Sequence, residues 1–342
     1  MKVSIFQFGG CNKCFGQTIL LKEIETREKI DLEWVQNPKQ WKAQKIDYAI
    51  ITGYLTAENK QSVLQIVNNA KNTIGFGSCA VMGGVYGLSY QRGNLIKPLR
   101  TFSESVLELP ACMAEIEELI ETIQKGEAGK NQALCSVCSR KSTCSFLSDV
   151  VRQIDVSQDE TSCFNDLGYM CNGYIAKECK ERCVAHGAPC RGCKPFVDRA
   201  GMRMLGMFGT LMGNIEVATE ATGKGGTDKL ADQDDDVTKS VPDVTGNFFR
   251  FTLADGLLPA GKMKSTGSII SDIFTGRLIE ELPLISSLIG GYNSVGLTLD
   301  IIQAYEDTTG ISVSEKTKQF REELLKSEER LREALKAISI EE

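Results

Sequence analysis

Val3-Ser4-Ile5-Phe6-Gln7-Phe8-Gly9-Gly10-Cys11-Asn12-Lys13-Cys14 is the stretch whose reading decides the fold. An apolar run of strand length ends in two glycines and then in a Cys-x-x-Cys pair. The same grammar recurs along the chain. Ile46 to Thr52 is a second apolar run, Asn72 to Gly77 leads into Ser78-Cys79, and Val106 to Leu109 leads into Pro110-Ala111-Cys112. Helical patterns lie between them, over Thr18 to Lys29, Ala57 to Ala70 and Met113 to Gln124. This alternation predicts a parallel sheet with helices on both faces.

Cys11, Cys14, Cys79 and Cys112 all leave the carboxyl ends of predicted strands. In an open parallel sheet those ends share one edge, where ligands bind. Four thiols far apart in sequence then converge, as a four-thiolate iron–sulfur cluster requires. Gly9, Gly10, Gly77, Gly83 and Gly84 let backbone approach an inorganic core closely, and their N–H groups can donate to its sulfides. The small residues on this edge also permit close approach by another chain. A Cys-x-x-Cys pair alone is equally a redox dithiol. Cys79 and Cys112 at equivalent strand ends favour the cluster.

The chain has 342 residues, long for one core, so two or more domains are expected. Its 13 cysteines stand beside a single histidine, and the odd count argues against a complete disulfide framework. Met1-Lys2 runs straight into the first strand without a secretory pattern, so the expected compartment is the reducing cytoplasm. With so little histidine, all-thiolate ligation is favoured over mixed Cys/His zinc sites. A net charge of −6 without a long basic run argues against nucleic acid or an anionic membrane as partner. Leu282 to Leu299 is uncharged but holds Pro283, Gly290, Gly291 and Asn293, and reads as buried helix and turn, not as a membrane span. No nucleophile motif, phosphate loop or flavin fingerprint is present, so no catalytic centre is expected in this chain.

A second cysteine set reads Cys135-x2-Cys138-x5-Cys144, then Cys163-x7-Cys171-x7-Cys179-x3-Cys183-x6-Cys190-x2-Cys193. These nine thiols fit two four-ligand sites with one left over. Four-cysteine zinc sites use similar spacings and remain the alternative. A sheet-edge cluster followed by two loop-bound clusters makes a wire for electrons, which favours iron–sulfur. By spacing, Cys135, Cys138 and Cys144 share one cluster, and Cys171, Cys179 and Cys183 share another. Cys163, Cys190 and Cys193 compete for the two remaining places, since fourth ligands cross between clusters in two-cluster ferredoxins. His186, a lone loop histidine, is left out. Little in this region is periodic, so ligation rather than a hydrophobic core is expected to hold it.

Residues 125–132 read as a linker, and residues 222–240, with Asp232, Asp234, Asp235 and Asp236, as an acidic surface loop. The remainder is mostly helical. Ser312 with Glu315 suggests a capping box. The helix after it carries Phe320, Leu324, Leu331, Leu335 and Ile338 at helical spacings, a stripe suited to packing on its own domain or on a partner.

The order Gly-Gly-Cys-x-x-Cys, Gly-Ser-Cys-Ala-x-x-Gly-Gly, Leu-Pro-x-Cys resembles the small, electron-transferring subunits of NiFe hydrogenases, a fold shared with the cluster-bearing subunit of complex I. The stretch Cys163 to Cys193, ending Ala188-Pro189-Cys190-Arg191-Gly192-Cys193, and the segment Asn247-Phe248-Phe249-Arg250-Phe251 resemble the cytoplasmic methyl-viologen-reducing and deazaflavin-reducing branch of methanogens. The resemblance covers roughly residues 1–260. It implies a proximal 4Fe-4S cluster on Cys11, Cys14, Cys79 and Cys112, with medial and distal 4Fe-4S clusters on the second set. It further implies a hydrogenase-type large subunit facing the proximal cluster and an iron–sulfur or flavin protein as electron acceptor. Two positions depart from the family: Thr52-Gly53 where many members have Glu-Gly, and Cys112-Met113 where many have Cys-Pro. Neither removes a ligand. Both lie near the face toward the large subunit, so that partner is read either with a nickel–iron site or as a relative that has lost it.

The expected fold class is α/β. Residues 1–125 form a flavodoxin-like proximal-cluster domain and 133–215 a ferredoxin-like two-cluster domain. Residues 216–245 form an acidic linker and 246–342 a mainly helical extension.

Overall fold

A computed structural model describes residues 1–93, 96–128, 132–143, 161–196, 243–255 and 267–340. Five strands form one sheet: β1 (Lys2–Gln7), β2 (Asp31–Val35), β3 (Ile46–Thr52), β4 (Ala70–Phe76) and β5 (Leu107–Leu109). All pair in parallel, in the spatial order β2-β1-β3-β4-β5. One register layer runs Trp34, Ile5, Ile50, Ile74, Leu107 across the five strands. The central runs are continuously apolar because both faces are covered. On one face Val3, Ile5, Ile50 and Ile74 pack with Leu21, Ile24, Leu119 and Ile123. On the other, Phe6, Ala49 and Ile51 pack with Val63, Ile66 and Ala80, and Trp41 meets Phe6 edge-on at 5.1 Å.

The helices are α1 (Lys13–Gln17), α2 (Lys22–Glu28), α3 (Lys60–Val67), α4 (Ser78–Met82) and α5 (Ile116–Lys125). A 3₁₀ turn, Thr18–Leu21, joins α1 to α2, so the predicted helix Thr18 to Lys29 starts earlier, at Lys13. The sequence pattern does not predict β2. Its residues Asp-Leu-Glu-Trp-Val mix charge with apolar side chains because it is an edge strand paired only with β1.

The cysteine-rich region, 132–143 and 161–196, is built of short turns joined by isolated bridges, Ala133 to Lys177, Lys141 to Ser162 and Ala176 to Pro195. Contrary to expectation it has a small apolar core of its own: Leu134, Phe164, Tyr169, Ala176 and Val184 pack with Cys171 and Cys190. Phe164 and Tyr169 meet edge to face at 5.9 Å, and the Arg140 guanidinium lies 3.8 Å from the Phe164 ring centre.

The C-terminal part is helical, as expected: α6 (Val244–Phe248), α7 (Ile269–Phe274), α8 (Leu282–Ile289), α9 (Ser294–Thr309) and α10 (Glu315–Ile340). It is not a loose appendage. Phe251, Leu253, Ile273, Ile285 and Ile289 share a core with Val85, Tyr86 and Leu88, which follow Cys79. Ser314, not Ser312, caps α10, its hydroxyl accepting from the Thr317 N–H at 3.2 Å. The helix docks through polar groups. Arg321 pairs with Glu306 at 2.6 Å, and the Glu328 carboxylate accepts from the Val295 and Gly296 N–H groups at 2.7 and 2.9 Å. Phe320 and Leu331 of the predicted stripe are exposed; the side chains of Leu335 and Ile338 lie outside the described set. Cys144 and the acidic loop 222–240 also lie outside the described residues. No helix among the described residues is long and apolar enough to cross a membrane.

Candidate functional site

Each of the first four cysteines leaves the carboxyl edge of the sheet. β1 ends just before Gly9-Gly10, Cys11 follows, and α1 opens at once to carry Cys14. Cys79 sits in the first turn of α4, just after β4. Cys112 follows β5, and the Ser78 N–H donates to the Ala111 carbonyl at 2.9 Å, tying these two exits together. Gly77 and Gly84 bring backbone against sulfur, as expected. A Cβ on Gly77 would stand 2.7 Å from Cys14 Sγ, and one on Gly84 would stand 2.6 Å from Cys79 Sγ, so the sulfurs rest on bare backbone. Gly84 also has φ 55, a conformation a side chain would strain.

The other glycines serve the chain's own packing. The Tyr54 ring fills the space over Gly9, and a Cβ on Gly83 would stand 2.7 Å from the Ala254 Cβ. The room that these small residues suggest for another chain is therefore partly taken. Tyr54 and Tyr86 stack with ring centres 4.8 Å apart. Thr52 is fully buried and donates to Gln7 Oε1 at 2.7 Å, so its hydroxyl points into the chain rather than toward a partner.

The four sulfurs feel one another. Burial pushes the Cys79 thiol well up, and the charges of Cys112, Cys11 and Cys14 add to it. Burial likewise raises Cys112 well above the usual thiol range, followed by the charges of Cys193, Cys14 and Cys11. Cys14 is pushed up to about 11, chiefly by burial, against a hydrogen bond from the Ala114 backbone. Burial and then the charges of Cys11 and Cys14 raise the Tyr292 phenol. Neighbouring thiolates repel each other, and added positive charge offsets that repulsion.

Eight of the nine remaining cysteines are described, and their neighbours are not those that spacing suggests. A Cβ on Gly173 would stand 2.9 Å from Cys135 Sγ and 3.9 Å from Cys171 Sγ, which places those two sulfurs on either side of one backbone position. Burial raises Cys135 to about 11, with the charges of Cys163 and Cys138 adding. Burial raises Cys171 to about 12, against hydrogen bonds from Cys190 and Gly173 and with the charges of Cys135 and Cys163. Among the described residues, Cys135, Cys138, Cys163 and Cys171 thus lie together in one group. Burial and then the charges of Cys183 and Cys179 push Cys193 up to about 11. Burial, the Cys171 charge and then those of Cys193 and Cys183 raise Cys190. Cys179, Cys183 and Cys193 lie together in another group, and Cys190 stands between it and Cys171.

Spacing groups Cys171 with Cys179 and Cys183; in the structure Cys171 Sγ shares the Gly173 position with Cys135 and accepts from the Cys190 N–H, and Cys144 lies outside the described residues. The chain path explains this. It doubles back after Cys163, with the Tyr169 N–H on the Phe164 carbonyl at 2.9 Å and the Cys171 N–H on Asn165 Oδ1 at 3.0 Å. Cys171 is thereby returned to the side of Cys163.

The three groups touch in series. A Cys112 backbone hydrogen bond reaches Cys193, and the Ser78 hydroxyl donates to the Cys193 carbonyl at 2.8 Å. The Cys190 N–H donates to Cys171 Sγ at 3.2 Å. Contact therefore runs from Cys112 through Cys193 and Cys190 to Cys171, unlike chain order. A buried ion-pair network fixes the first junction: Lys194, next to Cys193, lies 3.2 Å from Glu115 and 2.9 Å from Glu118, both on or at the start of α5, and Arg182 joins Glu115 at 3.1 Å. Nothing local in the sequence marks these residues.

All twelve described cysteines are free. No three Cys, His, Asp or Glu side chains among the described residues close to the spacing of a single bound ion. His186, exposed, has Nδ1 2.9 Å from the Arg182 carbonyl, and takes no place in either group. Grouped free thiols on bare backbone, with amide N–H groups aimed at sulfur, fit a polynuclear thiolate-bound group.

Residues 9–126 match the family described as NADH ubiquinone oxidoreductase, 20 kDa subunit. The G subunit of the F420-non-reducing hydrogenase of Methanothermobacter marburgensis is 24% identical over 313 residues, covering 78% of this chain and 98% of that protein. By sequence, this chain resembles hydrogenase G subunits. The G subunit of the vhu F420-non-reducing hydrogenase of Methanocaldococcus jannaschii is 23% identical, covering 75% of this chain and 96% of its own length. The iron–sulfur G subunit of the F420-non-reducing hydrogenase of Archaeoglobus profundus is 22% identical, covering 75% and 98%. These three relatives are, by their names, subunits of hydrogenases. One solved structure, a NAD⁺-reducing [NiFe]-hydrogenase in the H₂-reduced state, aligns with TM-score 0.32 and 18% identity over 38% of this chain and 94% of that one.

Proposed function

We propose that this chain is an electron-transfer subunit carrying three 4Fe-4S clusters in series, in a cytoplasmic hydrogenase-type complex. The proximal ligands are Cys11, Cys14, Cys79 and Cys112. The medial ligands are Cys179, Cys183, Cys190 and Cys193, and the distal ligands are Cys135, Cys138, Cys163 and Cys171. Bound there, such clusters accept and release one electron each. The chain's own part is to hold the sulfurs, exclude water and fix spacing. The observation that carries the reading is the serial contact of the described cysteines, through Cys112 with Cys193 and through Cys190 with Cys171. The strand order, with the sulfurs at the carboxyl edge, supports a flavodoxin-like proximal domain.

A hydrogenase-type large subunit faces the sheet's carboxyl edge, and an iron–sulfur or flavin protein takes electrons near the exposed Cys135. An anaerobic visible spectrum tests the clusters: a broad shoulder that dithionite bleaches supports them, and a featureless spectrum with bound zinc overturns them. Nickel analysis of the purified complex tests the partner. Nickel present supports hydrogen chemistry in the large subunit, and nickel absent from an intact complex favours the reading in which that site has been lost.

A further inference from the structure

The C-terminal unit reaches the Cys11–Cys14 loop at a place far from it in sequence. Between α8 and α9 the chain crosses this loop as a strap. Gly291, with φ 59, lies so close that a Cβ there would stand 2.5 Å from the Cys11 carbonyl oxygen. Tyr292 lays its phenol over Gly16, in the space that a Gly16 side chain would fill. Lys13 Nζ, between the two cysteines, reaches the Ser287 carbonyl at 3.4 Å and Ser294 Oγ at 3.3 Å, one on each side of the strap. The Tyr86 hydroxyl donates to the Ile289 carbonyl at 3.4 Å. Both ends of the strap are thus tied to the turn that carries the sulfurs, and its middle is a ring lying against backbone.

We infer that Tyr292 is a positioning residue for the proximal site, sealing the Cys11–Cys14 side against water and small reactants. This rests on the reading of Cys11, Cys14, Cys79 and Cys112 as cluster ligands and extends it: the seal on that side belongs to this chain, not to a partner subunit. The mechanism is steric. The ring covers the turn on its Gly16 side, and the Lys13 contacts hold the strap in register. Gly16 and Gly291 are the two positions where a side chain would lift it away.

The test uses the full chain, reconstituted with iron and sulfide under anaerobic conditions. Bathophenanthroline takes up released iron, and the rate is compared for the wild type, Tyr292→Ala, Gly291→Ala, Tyr292→Phe and the exposed control Tyr305→Ala. In Tyr292→Ala and Gly291→Ala roughly one third of the iron, one cubane of three, leaves about tenfold faster. Tyr292→Phe, which keeps the ring, stays within about twofold of wild type. A second measurement needs no metal: in the iron-free chain, maleimide labelling located by mass spectrometry speeds up at Cys11 and Cys14 in Tyr292→Ala and not at Cys179 or Cys183. Unchanged iron release and labelling in both Tyr292→Ala and Gly291→Ala overturns the seal. Equal acceleration of all the iron overturns it too, because that is general loosening. A Cys14→Ser chain that keeps its full iron content overturns the ligand reading instead, and the labelling result then decides the seal separately.

Discussion

Replacing Lys194 by methionine is expected to release the cysteine-rich region from the sheet while leaving the sheet folded. Lys194 Nζ lies 2.9 Å from Glu118 and 3.2 Å from Glu115, and the three side chains are only 7%, 12% and 11% exposed. At an effective dielectric near 20, each pair attracts by roughly 5 kcal/mol before the cost of removing the charges from water is subtracted. Burial pulls the Lys194 ammonium down, yet the two carboxylates outweigh it and hold it above its usual range. Methionine keeps the volume and removes the cation. Glu118 then loses its ammonium partner, and Glu115 keeps only the half-exposed Arg182. Breaking a buried pair in this way costs about 3–5 kcal/mol, and the surviving arginine puts the expected loss near the lower end, about 3 kcal/mol. The assay is urea unfolding under anaerobic conditions with two probes. The chain's only two tryptophans, Trp34 and Trp41, both report on the sheet domain. Protease cleavage within 161–196 reports on the cysteine-rich region. Protection of 161–196 should fall by about a hundredfold, as about 3 kcal/mol implies, with the tryptophan transition moving by less than about 1 kcal/mol. A loss below about 1 kcal/mol, or equal shifts of both probes, would refute the argument that this network is what docks the two parts.

Three further outcomes are expected. Gly84→Ala sets a Cβ 2.6 Å from Cys79 Sγ at φ 55, so iron analysis should find about four atoms fewer than wild type, all from the proximal site. Cys171→Ser should remove the iron held with Cys135, Cys138 and Cys163 and spare that held by Cys179, Cys183, Cys190 and Cys193; EPR of the reduced chain, resolving which signal is lost, checks the grouping. Glu108→Gln should stabilise the fold by about 1 kcal/mol near pH 8, because burial raises the Glu108 carboxyl above its ordinary 4.5 and one carboxylate oxygen has no hydrogen-bond partner. A raised carboxyl favours the folded state at low pH and loses that contribution as pH rises through its folded value. The advantage of glutamine should therefore fade as urea midpoints are taken down toward pH 4.5.

The sheet was legible because β1, β3, β4 and β5 carry apolar stretches that run into glycine or proline, and burial on both faces demands such stretches. β2 escaped because an edge strand carries Asp31 and Glu33 without penalty. The first four cysteines could be grouped because each follows a strand, so topology alone converges them. The second set was less legible, since Cys171 stands at equal distance in sequence from Cys163 and Cys179, and the turn built on Phe164 and Tyr169 sets where it lies. Lys194 and Tyr292 were invisible for a different reason. Their meaning lies in partners brought close only by the finished fold, Glu118 for one and the Cys11–Cys14 turn for the other.

The series of three clusters is tested most directly by counting iron, acid-labile sulfide and zinc in the anaerobically purified chain. Three cubanes predict about twelve iron and about twelve sulfide per chain, with zinc well below one. About four iron with two zinc would contradict the series, leaving one cluster at the sheet edge and two structural metal sites in place of a path for electrons.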